Sequence, residues 1–194
     1  EKGSYKLVNP NDDVNMGQST NDTIPTAIRL ACLAKLPRLL DATNRMAVEF
    51  ERLAEREKDT VKSGRTHLQD AVPTTLGIEL AAYAWTLRRA GENLASCRTR
   101  LAEIGLGGSA AGTALNTSPN YPKNVAAELT KLTGEPIQSS QLAAQMQSML
   151  DLQDLSARIR GLALELTRIS NDLRLLASGP RTGLGEIQLP AVQP

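Results

Sequence analysis

Two short polar clusters hold the side chains best suited to chemistry. In the first, Ser19-Thr20-Asn21-Asp22, four hydrogen-bonding side chains stand just before Pro25 and an apolar run with helical spacing. One such residue is enough to cap a helix. Four offer more donors and acceptors than a helix end can use, and the exposed N–H groups and positive dipole end there favour a carboxylate or another anion. The second cluster, "GRTHLQD" at residues 64–70, lies a few residues ahead of a further apolar run, with Thr66 and His67 at its centre. His67 is the only histidine in the chain. Histidine is the one residue type whose charge ordinarily changes near neutral pH, and this one sits in an irregular segment rather than on an apolar face.

Other patterns carry less. Gly105-Leu106-Gly107-Gly108-Ser109-Ala110 fits a loose G-x-G-x-x-A, but it follows a helical pattern rather than a strand, so no dinucleotide fold is supported. Gly107–Thr113 also lacks the lysine of a phosphate loop, and tightly packed, flexible backbone is the better account. Asp12 and Asp13 read as an Asx-rich turn before the first helix. Cys32 and Cys97, the only two cysteines, lie far apart inside apolar helical patterns, with no C-x-x-C and no signal peptide. That suits a reducing cytoplasm, with both thiols acting as small buried hydrophobes. With a single histidine, a zinc or iron site of the usual His/Cys kinds is hard to assemble, and no structural metal is expected.

Long helices must position these clusters. Apolar residues recur near a 3.6-residue period over about residues 24–62, with Asp22 or Thr23 as cap, Pro25 in the first turn and Pro37 as a kink. "SGRTHLQDAVP" interrupts the periodicity, and a second helix is predicted from Thr74 to Ile104. A Gly-rich connection follows, then a short helix over Tyr121–Leu132 closed by Gly134, and a third long helix over Ser139–Ala177. No segment alternates with period two, so the class predicted is all-α, a long-helix bundle. Aromatic residues make up only 3% of the chain, so its core must be aliphatic and alanine-rich.

Bulk properties narrow the partners. With 22 basic and 21 acidic residues the net charge is +1, and no basic patch points to nucleic acid or an anionic membrane. No apolar run approaches the roughly 20 residues that span a bilayer. A helix of about 39 residues is roughly 58 Å long, whereas a compact domain of this size has a diameter of about 42 Å. The helices overhang their own globule, so other subunits or further chain are expected to cover their ends.

The segments "NPNDDVNMGQSTNDTIPTA", "SGRTHLQDAVPTTLG", "GGSAAGTALNTSP" and "SNDLRLLASGPRTGLGEIQLPAVQP" resemble, in order and spacing, the aspartase/fumarase superfamily. The closest branches are aspartate ammonia-lyase and class II fumarase. Ser19-Thr20-Asn21, Asn9-Pro10, "LQDAVP" with Val72, and Gln193 look like aspartase, while "GLGGSAAGT" and "GLGEI" look more like fumarase. The balance favours aspartase, with fumarate hydratase as the alternative and a non-catalytic helical oligomerisation module as the alternative of another class.

The resemblance implies reversible anti-elimination of ammonia from L-aspartate to give fumarate. Ser19, Thr20 and Asn21 would hold one carboxylate and the leaving group, and Thr66 and His67 the other carboxylate, His67 polarising it or serving a proton role. It also implies a homotetramer with a shared helical core, each site assembled from three subunits. The family's base is a serine on a mobile loop of the form GSSxMPxKxNP, which would begin where "LPAVQP" stands. Residues 1–194 are therefore expected to be the central helical-bundle domain, without the N-terminal domain, serine loop and C-terminal domain, and inactive on their own. No cofactor is expected. Divalent-cation activation is carried by the resemblance alone and has no signature in these residues.

Overall fold

The structure, a computed structural model, describes residues 3–191. Gln193 lies outside the described residues, and nothing structural bears on it. A single π-helical turn at Pro10–Val14 opens the fold, followed by α1 (Thr20–Arg56), a hairpin of β1 (Val61–Thr66) and β2 (Gln69–Thr75), and α2 (Leu76–Ala95). Then come α3 (Cys97–Leu101), β3 (Glu103–Ile104), α4 (Tyr121–Thr133), β4 (Gln138–Ser139), α5 (Leu142–Gln147) and α6 (Leu150–Leu176). Helix dominates and the strands are few and short, so the all-α class holds.

The chain divides into two compact units, one formed by the segments up to Leu39 and Leu94–Ser156, the other by Leu40–Asn93 and the residues from Ala157 on. In the first unit, Leu33, Leu94, Leu101 and Ile104 are almost fully buried. β3 and β4 pair in parallel there, Ile104 opposite Ser139. Arg98 closes the same unit by gripping Glu135 at 2.7 and 2.8 Å. In the second unit α1, α2 and α6 supply the core through Ala47, Leu80, Tyr83, Leu87, Leu162 and Ile169. The Tyr83 ring meets Phe50 edge-on at 5.6 Å, and its hydroxyl donates to Asp172.

Several boundaries differ from the periodicity. α1 ends at Arg56 rather than near residue 62. The helix continues on both sides of Pro37, the residue expected to kink it. Proline removes one backbone bond there, but Leu33 and Leu36 beside it are buried, and their packing holds the helix. The irregular stretch after α1 is an antiparallel hairpin. It escaped the two-residue test because β2 is largely exposed and the half-buried β1 is covered through charged side chains, Lys62 and Arg65, so no apolar alternation is needed. Pro73 is tolerated on such an edge strand. The second predicted helix breaks at Ser96 and turns into the buried strand β3, and the third breaks after Gln147. α4 ends as expected, with Gly134 left-handed at φ +73° and its N–H donated to Thr130.

Candidate functional site

The N-terminus of α1 is built as a reciprocal cap. Ser19 precedes the helix, its hydroxyl accepting from the Asn21 N–H at 3.2 Å and its carbonyl from Thr23 N–H at 3.0 Å. Asp22 returns the bond, Oδ1 accepting from the Ser19 N–H at 2.9 Å. This pairing of residues three apart satisfies two otherwise orphaned donors. The cap is therefore Ser19 with Asp22 as its return partner, not Asp22 or Thr23 alone as the sequence suggested.

Asp22 does more than cap. It is fully buried, and its Oδ2 accepts from the N–H groups of Gly107 and Ser109, both at 3.0 Å. The carboxylate thus takes three backbone donors, which offset the cost of burying it. Those bonds pin the Gly-rich connection against α1. Gly107, at φ +98°, lies so close to Pro122 that a Cβ would stand 2.7 Å from its Cα, and Gly112, at φ +85°, would place one 2.4 Å from the Cα of Ala143. Only glycine permits either approach. The connection is anchored backbone rather than a flexible linker.

Asn21 makes the next contact. Its Nδ2 donates to the Ala110 carbonyl at 2.9 Å. A carbonyl can only accept, so the bond fixes which end of the amide faces it. Asn21 Oδ1 is left as an acceptor with no donor among the described residues. Thr20 and Asn21 from α1, Ala110 and Ala111 from the connection, and Met146 and Gln147 from α5 line a cleft of about 510 Å³.

α5 owes its place to Arg29, whose side chain is wholly buried. The guanidinium donates to the carbonyls of Gln145 at 2.9 Å and Ser148 at 2.8 Å, and grips Asp151 at 2.6 and 3.0 Å. These bonds take up carbonyls left free where α5 ends and secure the start of α6.

Upstream, Asn9 caps the π-helical turn by accepting from the N–H groups of Asn11 and Asp12, and its own N–H donates to Asp13 at 2.6 Å. Asp13 is thereby engaged locally, in keeping with an Asx-rich turn.

The second cluster lies in the other unit. Thr66 ends β1 opposite Gln69, and His67 and Leu68 form the two-residue turn, both left-handed at φ +49° and +62°. Such turns normally use Asn-Gly, and leucine in this region is strained. His67 is exposed at the tip, with no hydrogen-bond partner among the described residues. It is not at a helix N-terminus, as its place before an apolar run had suggested, because the hairpin intervenes.

Charge braces the hairpin base. Lys62 Nζ lies 2.7 Å from Glu79 and 2.8 Å from Glu186, and Arg65 lies 2.5 Å from Glu186. Burial alone would raise the Glu186 pKa, but Arg65 and Lys62 outweigh it and hold the carboxyl below its ordinary range. Burial likewise opposes the charge on Lys62, and the two glutamates reverse that, raising it.

The structure thus brings Thr20 and Asn21 together at one cleft, keeps Ser19 beside them in the helix cap, and sets Thr66 with His67 at one hairpin tip. Sequence patterns gave no sign of Gln147, of the role of Arg29, or of the reach of Asp22 beyond its cap to Gly107 and Ser109. No local signal marks a glutamine on a helix that only the tertiary fold turns toward a cleft. Among the described residues no group of His, Cys, Asp and Glu could hold a metal ion, and no helix is long and apolar enough to cross a membrane. Cys97 is buried as expected, whereas Cys32 is only half-buried.

The sequence profile of the lyase family matches residues 2–194. An aspartate ammonia-lyase from Bacillus sp is 45% identical over 195 residues, covering 100% of this chain and 42% of the relative. A class II fumarate hydratase from Saccharolobus solfataricus is 44% identical over 184 residues, covering 94% of this chain and 42% of the relative. Among solved structures, a fumarate lyase:delta crystallin from Brucella melitensis bound to cobalt superposes with a TM-score of 0.96 at 44% identity, over 100% of this chain and 42% of that one. The chain spans about two-fifths of the length of the relatives it matches.

Proposed function

The chain belongs to the lyase family, and from that premise we propose that its whole protein is an ammonia-lyase converting L-aspartate to fumarate and ammonia. The observation that carries this choice is the orientation of Asn21, held by Ala110 so that its amide oxygen is the free atom beside the cleft. A substrate ammonium has three donors and no acceptor, so it needs such oxygens. A hydroxyl can do without them.

In this reading Ser19 and Thr20 hold a carboxylate and Asn21 the C2 nitrogen. The Ser19 hydroxyl accepts from the Asn21 N–H and so keeps its own proton for a carboxylate. A base removes a proton from C3, the electron pair passes into the adjacent carboxylate as an aci-carboxylate dianion, and its collapse forms the C2–C3 double bond as the C2–N bond breaks. Fixed donors aimed at the developing charge lower that barrier most. The family resemblance assigns the base to a serine loop of the form GSSxMPxKxNP, a motif these 194 residues do not contain. Thr66 and His67 would hold the second carboxylate, His67 by polarising it.

A homotetramer of a longer chain, with residues 1–194 as its central helical domain, completes the proposal. The coverage of only 42% of the relatives supports a longer protein. Trp85, Ile78 and Leu164, exposed on α2 and α6, support helix faces that another copy covers. Cys32 and Cys97, neither of them in a disulfide, favour a reducing cytoplasm. Fumarate hydration is the second reading, favoured by a relative of nearly equal identity carrying that name. Assay of the full-length protein with L-aspartate and with L-malate separates the two. Fumarate formed from malate and not from aspartate would overturn the first.

A further inference from the structure

Gln147 is the last residue of α5, it lines the cleft shared by Thr20 and Asn21, and its amide has no hydrogen-bond partner among the described residues. Its backbone is nevertheless fixed. Arg29 grips the carbonyl two residues before it, at Gln145, and the carbonyl just after it, at Ser148. The same guanidinium holds Asp151 at the first turn of α6. Arg29 lies eight residues beyond Asn21 on α1, about two turns along the helix. One rigid helix therefore carries Asn21 and also locates Gln147, by charge-assisted bonds from a fully buried side chain. A fixed backbone bearing an unengaged amide is the arrangement that contact with a small substrate requires.

We infer that Gln147 is a further substrate-contacting residue, its amide oxygen accepting a hydrogen bond from the C2 ammonium group that Asn21 also receives. The inference rests on the ammonia-lyase reading and extends it to amine specificity. One acceptor from α1 and one from α5 take two of the three ammonium protons. Met146 and Ala111 beside them supply apolar surface, which strengthens a polar contact by keeping water away.

The test is Gln147→Met in the full-length protein, a change that keeps length and helix propensity and removes the amide. Steady-state kinetics with L-aspartate are compared with competitive inhibition by succinate, a dicarboxylate with no C2 amine. The expected result is a fall in kcat/KM for aspartate of about tenfold or more, the usual effect of losing one hydrogen bond to a charged group, with the succinate inhibition constant within about twofold. The melting curve should not move, since Gln147 is exposed. A folded variant with unchanged kcat/KM would overturn the inference, and so would equal weakening of aspartate and succinate, which would place Gln147 at a carboxylate. If the unmodified protein turns over malate and not aspartate, the ammonia-lyase reading itself fails and the inference falls with it, a result visible before any substitution is made.

Discussion

Arg29 and Asp151 form a two-point ion pair at 2.6 and 3.0 Å, with the guanidinium fully buried and the carboxylate nearly so. The pair stands where α5 gives way to α6, and the two carbonyls that Arg29 also receives belong to that junction. Arg29→Ala would leave one buried charge and two carbonyls without partners. Breaking a buried pair in this way costs about 3–5 kcal/mol. Denaturant unfolding of the full-length protein should show a loss of that order, and a loss under about 1 kcal/mol would mean the junction is held by something else.

Asp22→Asn tests the anchor of the Gly-rich connection. Three N–H groups converge on the carboxylate, whereas asparagine offers one oxygen and turns an NH2 toward a donor. Leaving a buried donor unsatisfied costs about 1–3 kcal/mol. The variant should lose at least about 2 kcal/mol of stability, together with activity. Hydrogen exchange at the amides of Gly107 and Ser109 should quicken. Unchanged exchange there would show that the connection is held independently of Asp22.

The Glu186 cluster sets a pH dependence. Its carboxyl is held below its ordinary value by Arg65 and Lys62 against the opposing effect of burial. A folded pKa below the unfolded one gives stability that is fully present above the unfolded value, near 4.5, and lost as pH falls through the folded value. Glu186→Gln should therefore lower the melting temperature at pH 7, and its difference from the unmodified protein should shrink as pH falls below that range. A difference that grew on acidification would reverse the assigned sign.

His67→Asn separates chemistry from turn geometry. Asparagine tolerates the left-handed conformation that His67 adopts at φ +49°, so the hairpin should persist and the melting temperature stay nearly constant. Binding and turnover should weaken, both through loss of the imidazole. A variant with full activity would remove His67 from the site. Leu68→Gly is the converse case: it relieves strain at φ +62° and should gain up to about 1 kcal/mol without affecting turnover.

The long helices were legible because their apolar residues repeat near 3.6, and the stop at Gly134 because its φ of +73° suits glycine. The hairpin was not, since a two-stranded ribbon braced by the charges of Lys62 and Arg65 needs no alternating apolar face. The two polar clusters stood out by residue type alone. Their division of labour did not, because Ser19 and Asp22 share the capping and only the tertiary fold shows Asp22 reaching Gly107 and Ser109, more than eighty positions away. The buried charge of Arg29 escaped for the same reason. Nothing local distinguishes it from the exposed arginines on the same helix.

Asn21→Ala in the full-length protein, with turnover of L-aspartate and thermal unfolding measured on one preparation, tests the central assignment most directly. Asn21 is exposed and makes one side-chain bond, to Ala110, so its removal should cost only about 1 kcal/mol of stability. If its amide oxygen receives the leaving nitrogen, kcat/KM should fall by about a hundredfold while the protein stays folded, the effect of a contact used in the transition state. Normal activity per folded molecule, accompanied by a large drop in melting temperature, would contradict the assignment and leave Asn21 as a clamp on the Gly-rich connection.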